Sequence, residues 1–271
     1  MAILLQFVFR LAFGLSLAMS TVPSKLVPAG YYRVHLYVVF GLHVLAGTLH
    51  FIDPALTPLW IPLTGAVVSF VGTIVWFARW HRLGTLLLWA LAGVSLWGAW
   101  DGTTFERPAQ ADALPAETAE STVTQSLAVA EPTAWLILAD CATGGWILGS
   151  TMAAMLLGHW YLNSPGMQIS PLRRLCWLIG IAVLLRAIVS AYGTFALWQS
   201  GAVLSQPDWL FIAMRWLAGI VGIAVVTWMA WKTLDIPNTQ SATGILYVAV
   251  ILAFIGELTA QLMSSRFLAV L

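Results

Sequence analysis

Residues 1–20, MAILLQFVFRLAFGLSLAMS, read as a helix soluble in lipid with an arginine near its centre. An arginine or aspartate in the middle of a membrane helix costs roughly 2.5–3.5 kcal/mol on insertion scales, so Arg10 needs a reason to be there. Its own face supplies one. Gln6, Arg10, Gly14 and Ala18 recur at intervals of four, and small residues mark the faces along which membrane helices approach each other. The stretch resembles a secretory signal in length, but it lacks a basic leading region and carries a charge inside its apolar run. It reads as the first membrane helix, with Arg10 turned into a bundle.

Working outward, the same pattern returns at four further charges. Ala249, Ala253, Glu257 and Gln261 share a face; Arg186 lies with Ala182 and Ser190, Arg215 with Gly219 and Gly222, and Asp140 with Thr143 and Gly144. Composition agrees with a membrane setting: 60% of the 271 residues are hydrophobic and 8% are charged, against about a quarter charged in ordinary soluble domains. The net charge of +1 says nothing by itself, because its distribution carries the information; no nucleic-acid partner is expected. The two cysteines, Cys141 and Cys176, show no metal spacing and read as small packing residues.

A span needs about 20 apolar residues to cross the hydrocarbon. Eight segments meet that, near 2–21, 32–52, 59–80, 83–100, 133–161, 173–198, 209–231 and 243–265. Trp60, Trp80, Trp100, Trp135, Trp160, Trp198, Trp209 and Trp231 fall near their ends, as an interfacial belt requires. The expected fold is a single all-α integral membrane domain of about eight transmembrane helices. Lys25, Arg33, Arg79, Arg82, Arg173, Arg174 and Lys232 gather on one side. By the positive-inside rule that side is cytoplasmic, which places both termini outside. The connection 101–132 is rich in Ala, Thr, Ser and Glu, has Phe105 as its one large aromatic, and carries Asp101, Glu106, Asp112, Glu117, Glu120 and Glu131. It reads as an external acidic loop able to dock a basic partner, or simply as a solvated one. No internal repeat is visible, which weighs against transporters built from inverted halves.

Placing helices in depth puts His50, Asp53, Asp140, Arg215 and Glu257 in the outer half, with Arg186 and Arg10 nearer the midplane. Charges of both signs on several helices point to one polar site open to the outside. Glu257, Asp140 and His50 are candidate proton acceptors, and Arg186 and Arg215 candidate partners for those carboxylates or for a quinone carbonyl. The plainer reading is a pair of interhelical salt bridges, Arg215 with Asp140 or Glu257, that fix register. Trp89, Gly93, Trp97 and Trp100 line one face of the fourth helix; Trp97 could wall a flat ring, or simply pack. Histidines offer a competing b-type haem, for which His35, His81 and His159 lie at matching depth. No nucleotide, phosphate or nucleophile motif and no metal-ligand spacing occurs.

Eight helices, both termini outside, and a last helix reading Gly256-Glu257-Leu258 followed by Arg266 resemble the membrane anchor subunits of the dimethyl-sulfoxide-reductase type and, more loosely, the polysulfide-reductase and NrfD-like anchors. The match covers one helix and departs in the spacing from glutamate to arginine. The resemblance implies a quinol-interacting, haem-free subunit in the inner (plasma) membrane that passes electrons to an extracytoplasmic iron–sulfur partner. The expected function is therefore a membrane subunit of a respiratory or electron-transfer complex, in contact with lipid, other membrane subunits and an external redox subunit. A purely structural anchor, a haem-bearing membrane cytochrome and a proton-coupled transporter are the alternatives.

Overall fold

A computed structural model describes residues 1–102, 132–164, 166–201, 204–236, 238–267 and 270. Within them lie eight helices long and apolar enough to cross a membrane. They are α1 (Ala2–Thr21), α2 (Ala29–Ile52), α3 (Trp60–Phe77), α4 (His81–Asp101), α5 (Ala134–Asn163), α6 (Ser170–Gln199), α7 (Gln206–Thr233) and α8 (Thr239–Phe267). Each predicted span is present, with ends shifted by at most four residues. All but the edges of the acidic connection 101–132 lie outside the described residues.

Local chemistry sets the helix starts. Ser205 and Asp208 form a reciprocal capping box ahead of α7, with the Ser205 amide donating to Asp208 Oδ2 at 2.8 Å, and such caps satisfy the orphan amides of a first turn. Asn238 Oδ1 accepts from the Ser241 amide at 3.0 Å, so Asn238 caps α8. Pro171 and Pro207 stand in the first turns of α6 and α7, where the missing N–H costs nothing.

Helix adjacency closes twice. α1 packs on α2 and α4, α2 on α3, and α3 on α4, making a ring of four; α5 to α8 repeat the same order. The rings meet along α1 and α5, with smaller contacts of α4 on α5 and α1 on α8. No repeat is visible in the sequence, and what the two halves share is an order of contacts: short links force antiparallel neighbours, and that constraint leaves no residue pattern in common. Because each ring has an even number of spans, the two rings point the same way, and they are not inverted copies.

Glycine permits the central crossing. A Cβ on Gly14 would collide with the Gly145 carbonyl, and one on Gly149 with the Gly14 backbone. The outside of the bundle is apolar. On α3, Leu63, Val67, Phe70, Ile74 and Phe77 form an exposed stripe, and on α7 Leu210, Leu217, Val221, Val225 and Trp228 do the same. Exposed apolar faces on this scale belong against lipid.

Candidate functional site

The five intramembrane charges converge. Arg10 Nη2 meets Asp140 Oδ2 at 2.5 Å, and Arg186 Nη1 donates to Asp140 Oδ1. Arg186 also grips Glu257 with both sides of its fork, Nε to Oε1 at 2.9 Å and Nη2 to Oε2 at 3.0 Å. Arg215 Nη1 donates to Glu257 Oε1 at 2.9 Å, and its Nη2 to Ser190 Oγ at 2.8 Å. Arg10 Nη1 lies 4.0 Å from Glu257 Oε2 and closes the circuit. Five helices, α1, α5, α6, α7 and α8, thus share one buried network, and Arg10 carries it across from the first ring to the second.

Backbone features make the room. A Cβ on Gly144 would strike Glu257 Oε2, so only glycine admits that carboxylate beside α5. Directly after Arg215, α7 widens into a π-helical segment, Leu217–Gly222. Within it Gly219 meets Gly256 of α8, so closely that a Cβ on either would overlap the other's Cα region. The approach brings Arg215 and Glu257 within bonding reach. π segments of this kind recur at functional positions.

Among the described residues the network holds three guanidiniums against two carboxylates, a formal surplus of one positive charge. Every carboxylate oxygen already faces an arginine. Spare donors and acceptors remain at its rim: Arg10 Nε, Arg215 Nε and both amide ends of Gln6 and Gln261 have no hydrogen-bond partner among the described residues. Gln6 stands one turn from Arg10 and Gln261 one turn from Glu257, both toward the end of the bundle where the termini lie. Cys141 joins the edge of the site, accepting from Arg10 Nη2 at 3.5 Å and donating to the Ala99 carbonyl at 3.6 Å.

The sequence reading placed Arg10 and Arg186 deeper than Asp140, Arg215 and Glu257; the structure puts all five in contact. α6 runs for 30 residues and α1 for 20, so equal distances from helix ends do not mean equal depth. His50 is not brought into the network among the described residues. Its Nδ1 pairs with the Thr57 carbonyl at 2.8 Å across the link to α3, and Asp53 is exposed beyond it. Trp97 is half-exposed and stacks edge-on with Trp100, ring centres 5.1 Å apart, while a Cβ on Gly93 would meet nothing within 4 Å. That face of α4 looks outward.

The three haem candidates differ in burial and contacts. His35 is fully buried with its Nδ1 on the Tyr31 carbonyl at 2.5 Å, His81 packs edge-on against Trp76, and His159 is exposed. His35 Nε2 and His81 Nδ1 have no hydrogen-bond partner among the described residues. No group of three metal-ligating side chains occurs among the described residues.

A second polar contact escaped the sequence reading. Inside the first ring, His43 Nδ1 pairs with the Val39 carbonyl at 2.9 Å and Nε2 with Ser95 Oγ at 3.2 Å, and a Cβ on Gly65 would enter the imidazole. It joins α2 to α4 as Arg186 and Glu257 join α6 to α8, the corresponding helices of the second ring. The signal available was modest: His43, Ala46 and Gly47 share a face, but nothing local to Ser95 marks it as the partner.

An apolar, eight-span helical bundle with a charged interior is a multi-pass membrane protein. No family model, no curated protein and no solved structure matches the chain.

Proposed function

We propose that this protein is a membrane subunit of an electron-transfer assembly whose buried arginine–carboxylate network receives the oxygen-bearing head of a quinone or quinol. One observation supports the reading above others: among the described residues the network holds more guanidinium than carboxylate. An unbalanced charge in a low-dielectric interior is costly, and the carbonyl or deprotonated oxygen of a quinone head is a suitable acceptor for it. In this reading Asp140 and Glu257 position the guanidiniums, and the arginines meet the ligand. The basic loops face the cytoplasm, and the termini and the acidic connection 101–132 face outside, where the redox partner docks.

A structural anchor is the second reading, and it has its own observation. Arg10 ties the first ring to Asp140 of the second, so the same network suffices to hold two bundles in register with no ligand at all.

The test is an optical spectrum and an organic extract of the protein purified with its native associates. Stoichiometric quinone without a haem Soret band is the expected result. A Soret band assigned to this chain would establish the cytochrome alternative and direct mutation to His35, His81 and His159. Absence of both, with electron transfer unchanged in an assembled Arg215→Gln complex, would leave the anchor. Substrate flux by the isolated chain in liposomes would establish a transporter.

A further inference from the structure

At the end of the bundle away from the termini, α6 and α7 leave a groove between them. Its lining includes Trp177, Gly180, Ala224, Thr227 and Trp231, and its volume is about 230 Å³. Sites that enclose a whole small molecule run to about 300–1,000 Å³, so this one suits part of a longer molecule whose remainder lies outside. Gly180 and Ala224 are exposed, and a Cβ on Gly180 would meet nothing within 4 Å. The groove therefore faces the bilayer.

Two polar features belong to its wall. Thr227 lines the groove, is 5% exposed, and its hydroxyl has no hydrogen-bond partner among the described residues. Thr194 on α6, Thr233 on α7 and Thr259 on α8 behave differently: each hydroxyl donates to the carbonyl four residues back, the usual way a helix satisfies threonine. The second feature is a cation. Lys232 Nζ lies 5.1 Å from the centre of the Trp231 ring, and Trp231 meets Trp177 of α6 edge-on, centres 5.8 Å apart. Asp235 gathers the rim, accepting from Arg173 Nη2 at 3.0 Å and facing Lys232 Nζ at 3.7 Å. With the exposed Arg174 beside them, the described rim sets three cations against one carboxylate.

Polarity is thus ordered along the groove. Cations stand at its mouth, and the tryptophan rings come next. The Thr227 hydroxyl lies five residues from Lys232, about 7.5 Å along the axis. Deeper in, the lining is apolar, with Val183 and Ala224. A glycerophospholipid has the same order: phosphate, glycerol, ester carbonyl, acyl chain.

We infer that this groove binds one anionic phospholipid. Lys232 and Arg174 hold its phosphate, the Thr227 hydroxyl donates to an ester carbonyl, and one acyl chain lies over Gly180 and Ala224. The surplus of cations at the rim selects a headgroup of net negative charge over a zwitterionic one, by about fivefold for each basic residue. The inference goes beyond the quinone reading and is independent of it, since it uses no residue of the buried network.

The test uses the full-length protein, purified in detergent and stripped of lipid. Phosphatidylglycerol and phosphatidylcholine with identical acyl chains are added in turn, and native mass spectrometry counts the copies retained per chain. One phosphatidylglycerol, held at least about fivefold more tightly than phosphatidylcholine, is the expected result. Gly180→Leu fills the groove from a position where a Cβ meets nothing within 4 Å, and should weaken that copy about tenfold or more. Gly93→Leu, equally open on α4, should leave it unchanged. Lys232→Gln combined with Arg174→Gln should erase the preference between headgroups. Thr227→Val keeps the shape and deletes the hydroxyl; affinity should fall about fivefold, in line with one hydrogen bond. A hydroxyl without a lipid partner gives the opposite result, a more stable fold and unchanged retention, and would overturn the ester contact. Helix content and elution volume are checked for each variant. Equal retention in the Gly180→Leu and unmodified proteins would place the lipid elsewhere and overturn the site. Equal retention of the two lipids by the unmodified protein would overturn the choice of an anionic headgroup.

Discussion

Removing Glu257 should cost more than removing any arginine bonded to it, because of the charge it leaves behind. Glu257 accepts two bonds from Arg186 and one from Arg215, with Arg10 4.0 Å away. Glu257→Gln keeps the volume, but takes one of the two negative charges that the described residues set beside three guanidiniums, so the buried surplus among them doubles. Breaking a buried pair in this direction costs about 3–5 kcal/mol. Arg215→Gln works the other way. It deletes bonds to Glu257 and Ser190, yet leaves two cations facing two carboxylates, and the net loss should be about 1–3 kcal/mol. The gap of roughly 2 kcal/mol corresponds to about a thirtyfold difference in the unfolding equilibrium. Titration of micelle-embedded protein with dodecyl sulfate, followed by tryptophan fluorescence and helix content, measures both. In the double variant the penalties should combine to less than their sum, since the two residues share a bond. Should Arg215→Gln prove as damaging as Glu257→Gln, charge balance does not govern this core and the argument from surplus cation fails.

Three further outcomes are expected. Gly149→Ala drives a Cβ into the Gly14 backbone and should destabilise by about 1–3 kcal/mol; Gly93→Ala, with nothing within 4 Å, should be neutral or stabilising by up to about 1 kcal/mol, and the same titration reads both. For orientation, Ala55→Cys should label with a membrane-impermeant maleimide from outside and Gln168→Cys only after the membrane is opened, the native Cys141 and Cys176 being buried and silent; the reverse pattern would invert the topology. Deleting residues 108–128 should reduce co-purification of an external redox partner while the helices still insert, and an undiminished complex would move the docking face away from the acidic connection.

How much of this was legible in the sequence depended on whether the signal was local. Spans were, because twenty apolar residues bounded by tryptophan and proline have one physical reading. So was the inward direction of Arg10 or Glu257, which follows from the small residues one turn to either side. Partner identity was not local: that Arg10 takes Asp140 and Arg215 takes Glu257 depends on how far each helix slides past its neighbour, and the unequal lengths of α1 and α6 misplaced the depths. Ser95 beside His43 was hidden for the same reason. The π segment in α7 was also out of reach, since Leu217–Gly222 reads as ordinary apolar helix and widens only where Gly219 meets Gly256. The direction of Trp97 was not legible, because an aromatic face looks the same in sequence whether it turns inward or toward lipid.

The bond between Arg10 and Asp140 joins residues 130 positions apart, and this has a consequence for biogenesis. At about 5–20 residues per second, the ribosome delivers Asp140 between roughly 7 and 26 seconds after Arg10. Glu257 follows later still. Throughout that interval the opening helix carries an uncompensated cation, so α1 cannot settle at its final depth while it is the newest segment in the bilayer. It must either linger at the insertion machinery or ride high with its guanidinium among the headgroups. Its descent is then timed by the arrival of α5, which makes the second half of the chain the agent that seats the first.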